Sequence, residues 1–331
     1  MQAAAAPRSP GLPFSRLLLT GGNGFVGTHL APMLSAAAPG LSRLMLVRPG
    51  SPAPGADWAV AEAEIDDRES VAAIVRDFAP DCILHLAAQA SVGASQAQAE
   101  ATWRVNFDGT FALAAACARL APRATFLFTS SGETYGASFR DGEASEGTPL
   151  RPQNAYARSK AAAEEMLRDV LGPENRLIVT RAFNHTGRGQ DERFVLPAFA
   201  AQIARIERGA QPPVMMVGNL DAVRDFLDVR DVCAAYLALL ARAPSLKMRS
   251  VFNVSSGTGW RIADLLTLLK AQAGAPFEIR PDEARLRPSD IPVAIGRSDL
   301  LREVAGWRPA HPIEETLRDI LAHARQAAAR V

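Results

Sequence analysis

The sequence predicts a doubly wound α/β protein: a parallel sheet with helices on both faces, followed by a smaller C-terminal α/β lobe. Three observations carry this. Short apolar runs alternate with helical patterns through the first half of the chain. A glycine-rich turn joins the first run to the first helix. The chain has 331 residues, 48% of them hydrophobic, enough for one large or two modest cores. Nearly continuous apolar strands separated by helices mark a parallel sheet buried on both faces. Such a sheet binds ligands beyond the carboxyl ends of its strands.

The elements follow in order. Arg16–Thr20 (RLLLT) reads as a buried strand, and Val26–Ala38 as a helix that Pro32 is expected to kink. Arg43–Val47 and Val60–Ile65 read as strands, Arg68–Phe78 as a helix and Cys82–Leu86 as a strand. Trp103–Leu120 is a long helix stopped before Pro122. Ala124–Thr129, a helix at Tyr156–Leu171 and the strand Arg176–Arg181 complete the pattern. Beyond that the alternation loosens and prolines accumulate, from Pro212 and Pro213 to Pro309 and Pro312. The expected division is a loose Ala/Pro-rich leader at 1–15, a dinucleotide-binding domain at 16–183 and a second lobe at 184–331, with segments exchanged between the lobes.

Composition removes several classes. The 36 basic and 35 acidic residues leave a net charge of +1 without a basic run, which argues against a nucleic-acid binder. No apolar run approaches the ~18 residues of a membrane helix, and the leader lacks the regions of a secretory signal. A cytoplasmic protein is expected. Cys82, Cys117 and Cys233 are isolated, so no metal site is expected and each reads as a small buried hydrophobe.

The chemistry begins at Thr20-Gly21-Gly22-Asn23-Gly24-Phe25-Val26-Gly27. Glycines at 21, 24 and 27 permit a tight turn, close approach of a pyrophosphate and close packing of helix on strand. The helix that follows offers its amides and positive dipole end to phosphate. An ordinary βα turn is the alternative. The second strand ends in Arg48, with no acidic residue before Asp57. A basic residue there suits the 2′-phosphate of NADP, so NADP(H) is preferred and NAD(H) remains possible.

The second motif is Tyr156-Ala157-Arg158-Ser159-Lys160, in a chain with only three tyrosines and three lysines. Four residues apart on a helix, the two share a face. A phenol with an ordinary pKa near 10 becomes a useful acid–base group when an ammonium lies beside it. Upstream, Thr129-Ser130-Ser131-Gly132-Glu133-Thr134-Tyr135-Gly136 leaves a strand at the sheet's carboxyl edge. Ser131 is the hydroxyl chosen to hydrogen-bond a substrate carbonyl, with Ser130 supporting the loop.

With these residues the sequence resembles the extended short-chain dehydrogenase/reductase family over nearly its whole length. The GGxGFxG loop, His85-Leu86-Ala87-Ala88, Asn106, SSxExYG and YxxxK all match. In the second half, Arg181-Ala182-Phe183-Asn184-His185-Thr186-Gly187, Val217-Gly218-Asn219-Leu220, Arg224 to Asp231 and Arg287-Pro288-Ser289-Asp290 resemble members acting on GDP-sugars. Arg188 departs from the usual proline.

The resemblance implies a two-lobed Rossmann fold. It implies that Gly21, Gly24, Phe25, Val26 and Gly27 hold the cofactor pyrophosphate. Glu64 and Ile65 would stand at the adenine, and Leu86, Ala87 and Ala88 beside the nicotinamide ribose, with Thr129 a further cofactor-binding residue. Asn184 and the guanidinium groups of Arg224 and Arg287 would hold the GDP phosphates. Asn219 and Asp290 would meet the guanosine. Asn106 and His85 read as structural, and Asp225 and Asp231 as caps. A homodimer paired through helices flanking the active-site helix is also implied.

The expected reaction is hydride transfer to the 4-keto carbon of GDP-4-dehydro-6-deoxy-D-mannose, giving GDP-D-rhamnose. Tyr156 would donate the proton and Ser131 polarise the oxygen, while Lys160 holds the ribose. GDP-mannose 4,6-dehydration is the alternative. It needs a base at C5, for which Glu133 is available, and an acid at C6, where Gly132 offers none. Nucleotide-sugar 4-epimerisation is a further alternative. A non-catalytic NADP sensor would be expected to lack Tyr156 or Lys160.

Overall fold

The computed structural model describes residues 11–51, 57–285 and 291–329. The chain runs through β1 (Arg16–Thr20), α1 (Phe25–Ala37), β2 (Ser42–Val47), β3 (Ala59–Glu62), α2 (Arg68–Phe78) and β4 (Cys82–His85). α3 (Val92–Ala97) and α4 (Ala99–Trp103) lead through a π-helical turn at Arg104–Asp108 into α5 (Gly109–Leu120). β5 (Thr125–Ser131), α6 (Ala155–Val170) and β6 (Arg176–Ala182) follow. The second half comprises β7 (Asn184–Thr186), α7 (Val195–Glu207), β8 (Val214–Val217), β9 (Val223–Asp228), α8 (Val229–Arg242) and β10 (Arg249–Val254). After these come β11 (Gly259–Arg261), α9 (Ile262–Lys270), β12 (Glu278–Pro281), β13 (Val293–Ala294), α10 (Asp299–Ala305) and α11 (Ile313–Ala328).

The large sheet has seven parallel strands in the order β10-β6-β5-β4-β1-β2-β3. Its strands alternate their side chains between two cores. Leu17 and Leu19 face the layer of α1 and α8, and Leu18 faces the layer of α2, α5 and α6. The chain builds outward from β1 to β3, then crosses back to β4 on the other side of β1. The crevice at that reversal, beyond the carboxyl ends of β1 and β4, is the ligand position of this architecture.

Local chemistry fixes the helix ends. Asp67 caps α2 by accepting from the amides of Glu69 and Ser70, and Asn154 caps α6 through Ala157 N at 2.8 Å. α1 continues through Pro32, which costs it one backbone donor. The helix expected from Trp103 begins earlier, at Ala99, and absorbs a π-turn. The third strand is shorter than expected and ends at Glu62.

Residues 11–15 correct the expected leader. Leu12 and Phe14 pack on the first core, and the Ser15 amide donates to Asp81 at 2.7 Å. Residues 1–10 lie outside the described chain.

The second half contributes in two ways. β10 pairs with β6 and completes the large sheet, while α8 packs beside α1. A separate core forms from α7, α9 and α11 packed on β8, β9 and β11, through residues such as Met215, Val217, Phe226 and Trp260, while β7, β9, β11 and β13 form a small sheet and β8 pairs with β12. β9 is the hub of this small sheet, pairing with β7, β11 and β13.

Candidate active site

The glycine loop fits a dinucleotide. Gly21 has φ +70°, and a Cβ there would lie 2.7 Å from Ala87 N. At Gly27 a Cβ would fall 2.4 Å from the Gly22 backbone, so α1 rests directly on the turn. Gly24 provides the N-cap of α1 without a side chain, and no acidic residue stands in the first turn. The amides of Phe25, Val26 and Gly27 have no intrahelical acceptor and are available to phosphate oxygens.

Arg48 follows the last residue of β2 and is exposed. Glu64 is exposed beyond β3. Ile65 is buried, and a Cβ on Gly109 would meet its Cγ2 at 2.6 Å. Leu86, Ala87 and Ala88 leave β4 half-buried, with the Leu86 and Ala87 amides donating to Thr20 O and Thr20 Oγ1, each at 3.2 Å.

The strand β5 and the helix α6 bring the candidate catalytic side chains together. Lys160, 2% exposed, donates from Nζ to Thr129 O at 2.8 Å, and its ammonium lies 4.7 Å from the Phe128 ring centroid. Burial lowers its pKa from 10.5 to about 7, against the opposing pull of Glu164. Tyr156 is buried beside Ser131, whose hydroxyl favours the charged form of its phenol. Burial pushes its pKa up to about 12, the Ser131 hydroxyl works against this, and the Glu133 carboxylate adds to it. Ser131 Oγ accepts from the Glu133 amide at 3.2 Å. Thr129 Oγ1 donates to His85 O at 2.9 Å.

Glu133 is half-buried. Burial raises its pKa, while Arg224 and Asn154 lower it; Asn154 Nδ2 donates to Glu133 Oε2 at 3.5 Å. Arg224 thus bears electrostatically on the Tyr156–Ser131 neighbourhood from β9 of the other lobe. Its guanidinium also donates to Val223 O at 2.8 Å and Ile291 O at 3.1 Å. Asn184 at the start of β7 is exposed, as is Asn219, whose Oδ1 accepts from Asp221 N. Arg287 and Asp290 lie outside the described residues.

His85 is fully buried between the hydroxyls of Thr20 (2.7 Å) and Thr110 (3.0 Å). Burial, aided by Lys160, holds its pKa down at about 3. Asn106 clamps the Gln89 backbone on both sides and donates to Ser159 Oγ at 3.0 Å. Asp225 gathers the amides of Ser256, Gly257 and Gly296, and Asp231 those of Ala310 and His311. The three cysteines are buried and unpaired. Among the described residues no group of His, Cys, Asp and Glu is placed to hold a metal.

Sequence reasoning missed three features. The ring of Phe25 in the glycine loop stacks on His185, centroids 6.2 Å apart and planes at 4°. Phe183 fills the space beside Gly132, where a Cβ would lie 3.1 Å from three ring carbons. Glu164 and Arg181 form a buried ion pair at 2.6 Å, which also takes the Ser130 hydroxyl. Glu164 had a readable signal: it stands four residues after Lys160, a charge on the face that enters the sheet.

The chain is similar to known proteins over most of its length. The family model described as GDP-mannose 4,6 dehydratase matches residues 18–320. The chain is 35% identical to the GDP-6-deoxy-D-mannose reductase of Pseudomonas aeruginosa, over 92% of this chain and 96% of that one. The RMD of Pseudomonas aeruginosa, solved as a complex with NADPH, superposes with a TM-score of 0.79 at 33% identity. That match covers 94% of this chain and 99% of its counterpart. The UDP-glucose 4-epimerase of Thermus thermophilus, solved with NAD, gives 0.80 at 28% identity with the same coverage.

Proposed function

The chain is an oxidoreductase of the GDP-mannose 4,6-dehydratase family, within the extended short-chain dehydrogenases/reductases, and from that premise we propose that it reduces GDP-4-dehydro-6-deoxy-D-mannose to GDP-D-rhamnose with NADPH. One observation carries the choice of reductase over dehydratase. At Gly132, where a dehydrating site would carry an acid for the C6 hydroxyl, a Cβ would lie 3.1 Å from the Phe183 ring, so a larger side chain there would crowd that ring. The same ring also lies close to Gly296, where an added Cβ would fall 2.4 Å from it.

The cofactor would rest on the loop from Gly21 to Gly27, with Arg48 at the 2′-phosphate and Lys160 at the nicotinamide ribose. When bound, reduced nicotinamide supplies the hydride. Ser131 hydrogen-bonds the 4-keto oxygen and polarises it. Tyr156 delivers its phenolic proton to the same oxygen as negative charge develops there. Arg224, with Asn184 and Asn219, would hold the GDP moiety. Glu133 then orders Asn154 and Arg224 instead of abstracting a C5 proton.

The proposal extends to a cytoplasmic homodimer. Trp103, 37% exposed and edge-on to Phe107 at 5.9 Å, gives the α4–α6 face an apolar contact. No described helix is long and apolar enough to cross a membrane.

The deciding assay follows loss of NADPH absorbance with GDP-4-dehydro-6-deoxy-D-mannose, then repeats it with NADH. Turnover is expected, faster with NADPH. Tyr156→Phe should lower kcat by roughly 10²–10⁴-fold while leaving cofactor affinity intact. Inertness here, with water loss from GDP-mannose when no reductant is added, would replace the reductase with the dehydratase and return Glu133 to the role of base.

A further inference from the structure

A buried polar chain joins the catalytic edge of the large sheet to the small sheet that carries Arg224. It starts at Ser130, whose hydroxyl donates to Glu164 of α6. Glu164 pairs with Arg181 of β6, and Arg181 Nη1 donates to the Tyr135 hydroxyl at 3.1 Å. Tyr135 donates in turn to Asn253 Oδ1 of β10 at 2.6 Å. Asn253 Nδ2 then donates to two backbone carbonyls, Ala144 O and Arg297 O, both at 3.0 Å. Those two segments bridge each other: Ala144 N donates to Ile295 O and Arg297 N to Ala144 O. Between them the Gly296 amide reaches Asp225, the neighbour of Arg224 on β9.

Every side chain in this series is buried: Tyr135, Glu164 and Asn253 at 0% and Arg181 at 5%. Buried polar groups make strong, geometrically demanding bonds because water cannot substitute for a lost partner. Apolar packing between Tyr135, Phe139 and Phe183 fills the space around the chain without specifying one arrangement. The hydrogen bonds are directional and do specify it.

We infer that Tyr135 and Asn253 are positioning residues: their hydrogen bond clasps the 144 and 295–297 segments to the large sheet and so sets Arg224 at the right distance from Tyr156 and Ser131. Neither touches the reacting atoms. Their work is to hold the diphosphate-binding strand in register with the catalytic helix. The inference rests on the reading that a GDP-sugar lies between the two lobes.

The test uses full-length Tyr135→Phe, which keeps the ring and removes only the hydroxyl, and Asn253→Ala, which supplies the same readouts should the first variant fold poorly. In each, KM for the GDP-4-dehydro-sugar should rise at least fivefold, with kcat and the NADPH dissociation constant within twofold of wild type. The double variant should be no worse than the worse single, because both break one chain. Hydrogen exchange gives a readout that needs no substrate. The amides of Ala144, Gly296 and Arg297 should exchange at least tenfold faster, while those of β1 and β4 keep their rates. Unchanged KM and exchange would overturn the clasp. So would kcat, KM and NADPH affinity worsening together, which is the mark of general loosening. A wild-type protein that ignores the GDP-4-dehydro-sugar refutes the substrate reading instead, and exchange still decides the clasp.

Discussion

Replacing Lys160 with methionine should make the protein more stable at pH 6 and inactive. The fall of its pKa from 10.5 to about 7 means that the buried site disfavours the ammonium by about 5 kcal/mol. Methionine fills similar volume without that cost. It forfeits the bond to Thr129 O, about 1 kcal/mol, and the contact with the Phe128 ring, about another. The net gain at pH 6 is about 3 kcal/mol. An unfolding entropy near 2.1 cal/mol/K per residue, taken over a chain of this length, converts that to a Tm higher by about 4 °C.

The gain has a pH signature. The folded lysine holds its proton less tightly than the unfolded one, so wild-type stability rises with pH between about 7 and 10.5. The full cost applies below pH 7 and is gone above 10.5. Above about pH 10.5, where lysine is neutral in both states and its cation–ring contact is gone, the methionine variant should be the less stable of the two by the lost Thr129 hydrogen bond. Thermal melts of both proteins at pH 6, 8 and above 10.5 measure this directly. A variant less stable at pH 6, or a difference that stays constant with pH, refutes the assignment of Lys160 as a strained, desolvated cation.

Three more outcomes are expected. Gly21→Ala places a Cβ 2.7 Å from Ala87 N at φ +70°; it should cost about 2–4 kcal/mol in urea unfolding and weaken NADPH binding in calorimetry. Arg48→Ala should lower kcat/KM for NADPH about 10–100-fold and leave that for NADH nearly unchanged, a ratio read from initial rates with each cofactor. Glu164→Ala strands the Arg181 charge in the core and should cost about 3–5 kcal/mol in chemical denaturation, whereas replacing both partners with apolar residues should recover most of the loss.

The large sheet was legible because its strands are buried on both faces. RLLLT, CILH and RLIVTR appear as apolar runs with no tertiary knowledge needed. The helix at Arg68–Phe78 was read with the bounds the structure gives it. The glycine loop and the Tyr156–Lys160 pair were legible because each is local, a few residues whose spacing is itself the chemistry. The seventh strand was not. Arg249–Val254 joins β6 across a long stretch of chain, and nothing in its short apolar run distinguishes it from a strand of the second lobe. β7, β11 and β13 are two or three residues long and exist only through pairing with β9. The chain from Ser130 to Asn253 was invisible for the same reason: its five members lie on five separate segments.

The position of β10 also shapes how the protein is made. On the ribosome β6 emerges with its outer edge unpaired, and that edge stays open until Arg249–Val254 has been synthesised, roughly 70 residues later. At about 5–20 residues per second the interval is roughly 4–14 s. During it the nascent chain carries a buried-type apolar strand with free backbone groups, the kind of edge that recruits other strands. Its partner is the last strand of the large sheet to be translated, so sheet closure and completion of the second lobe fall in the same late stage of synthesis. A strand-edge binder such as a chaperone would find a long-lived target here, and mutations that delay β10 should appear as lower yield of folded protein before they appear as lower activity.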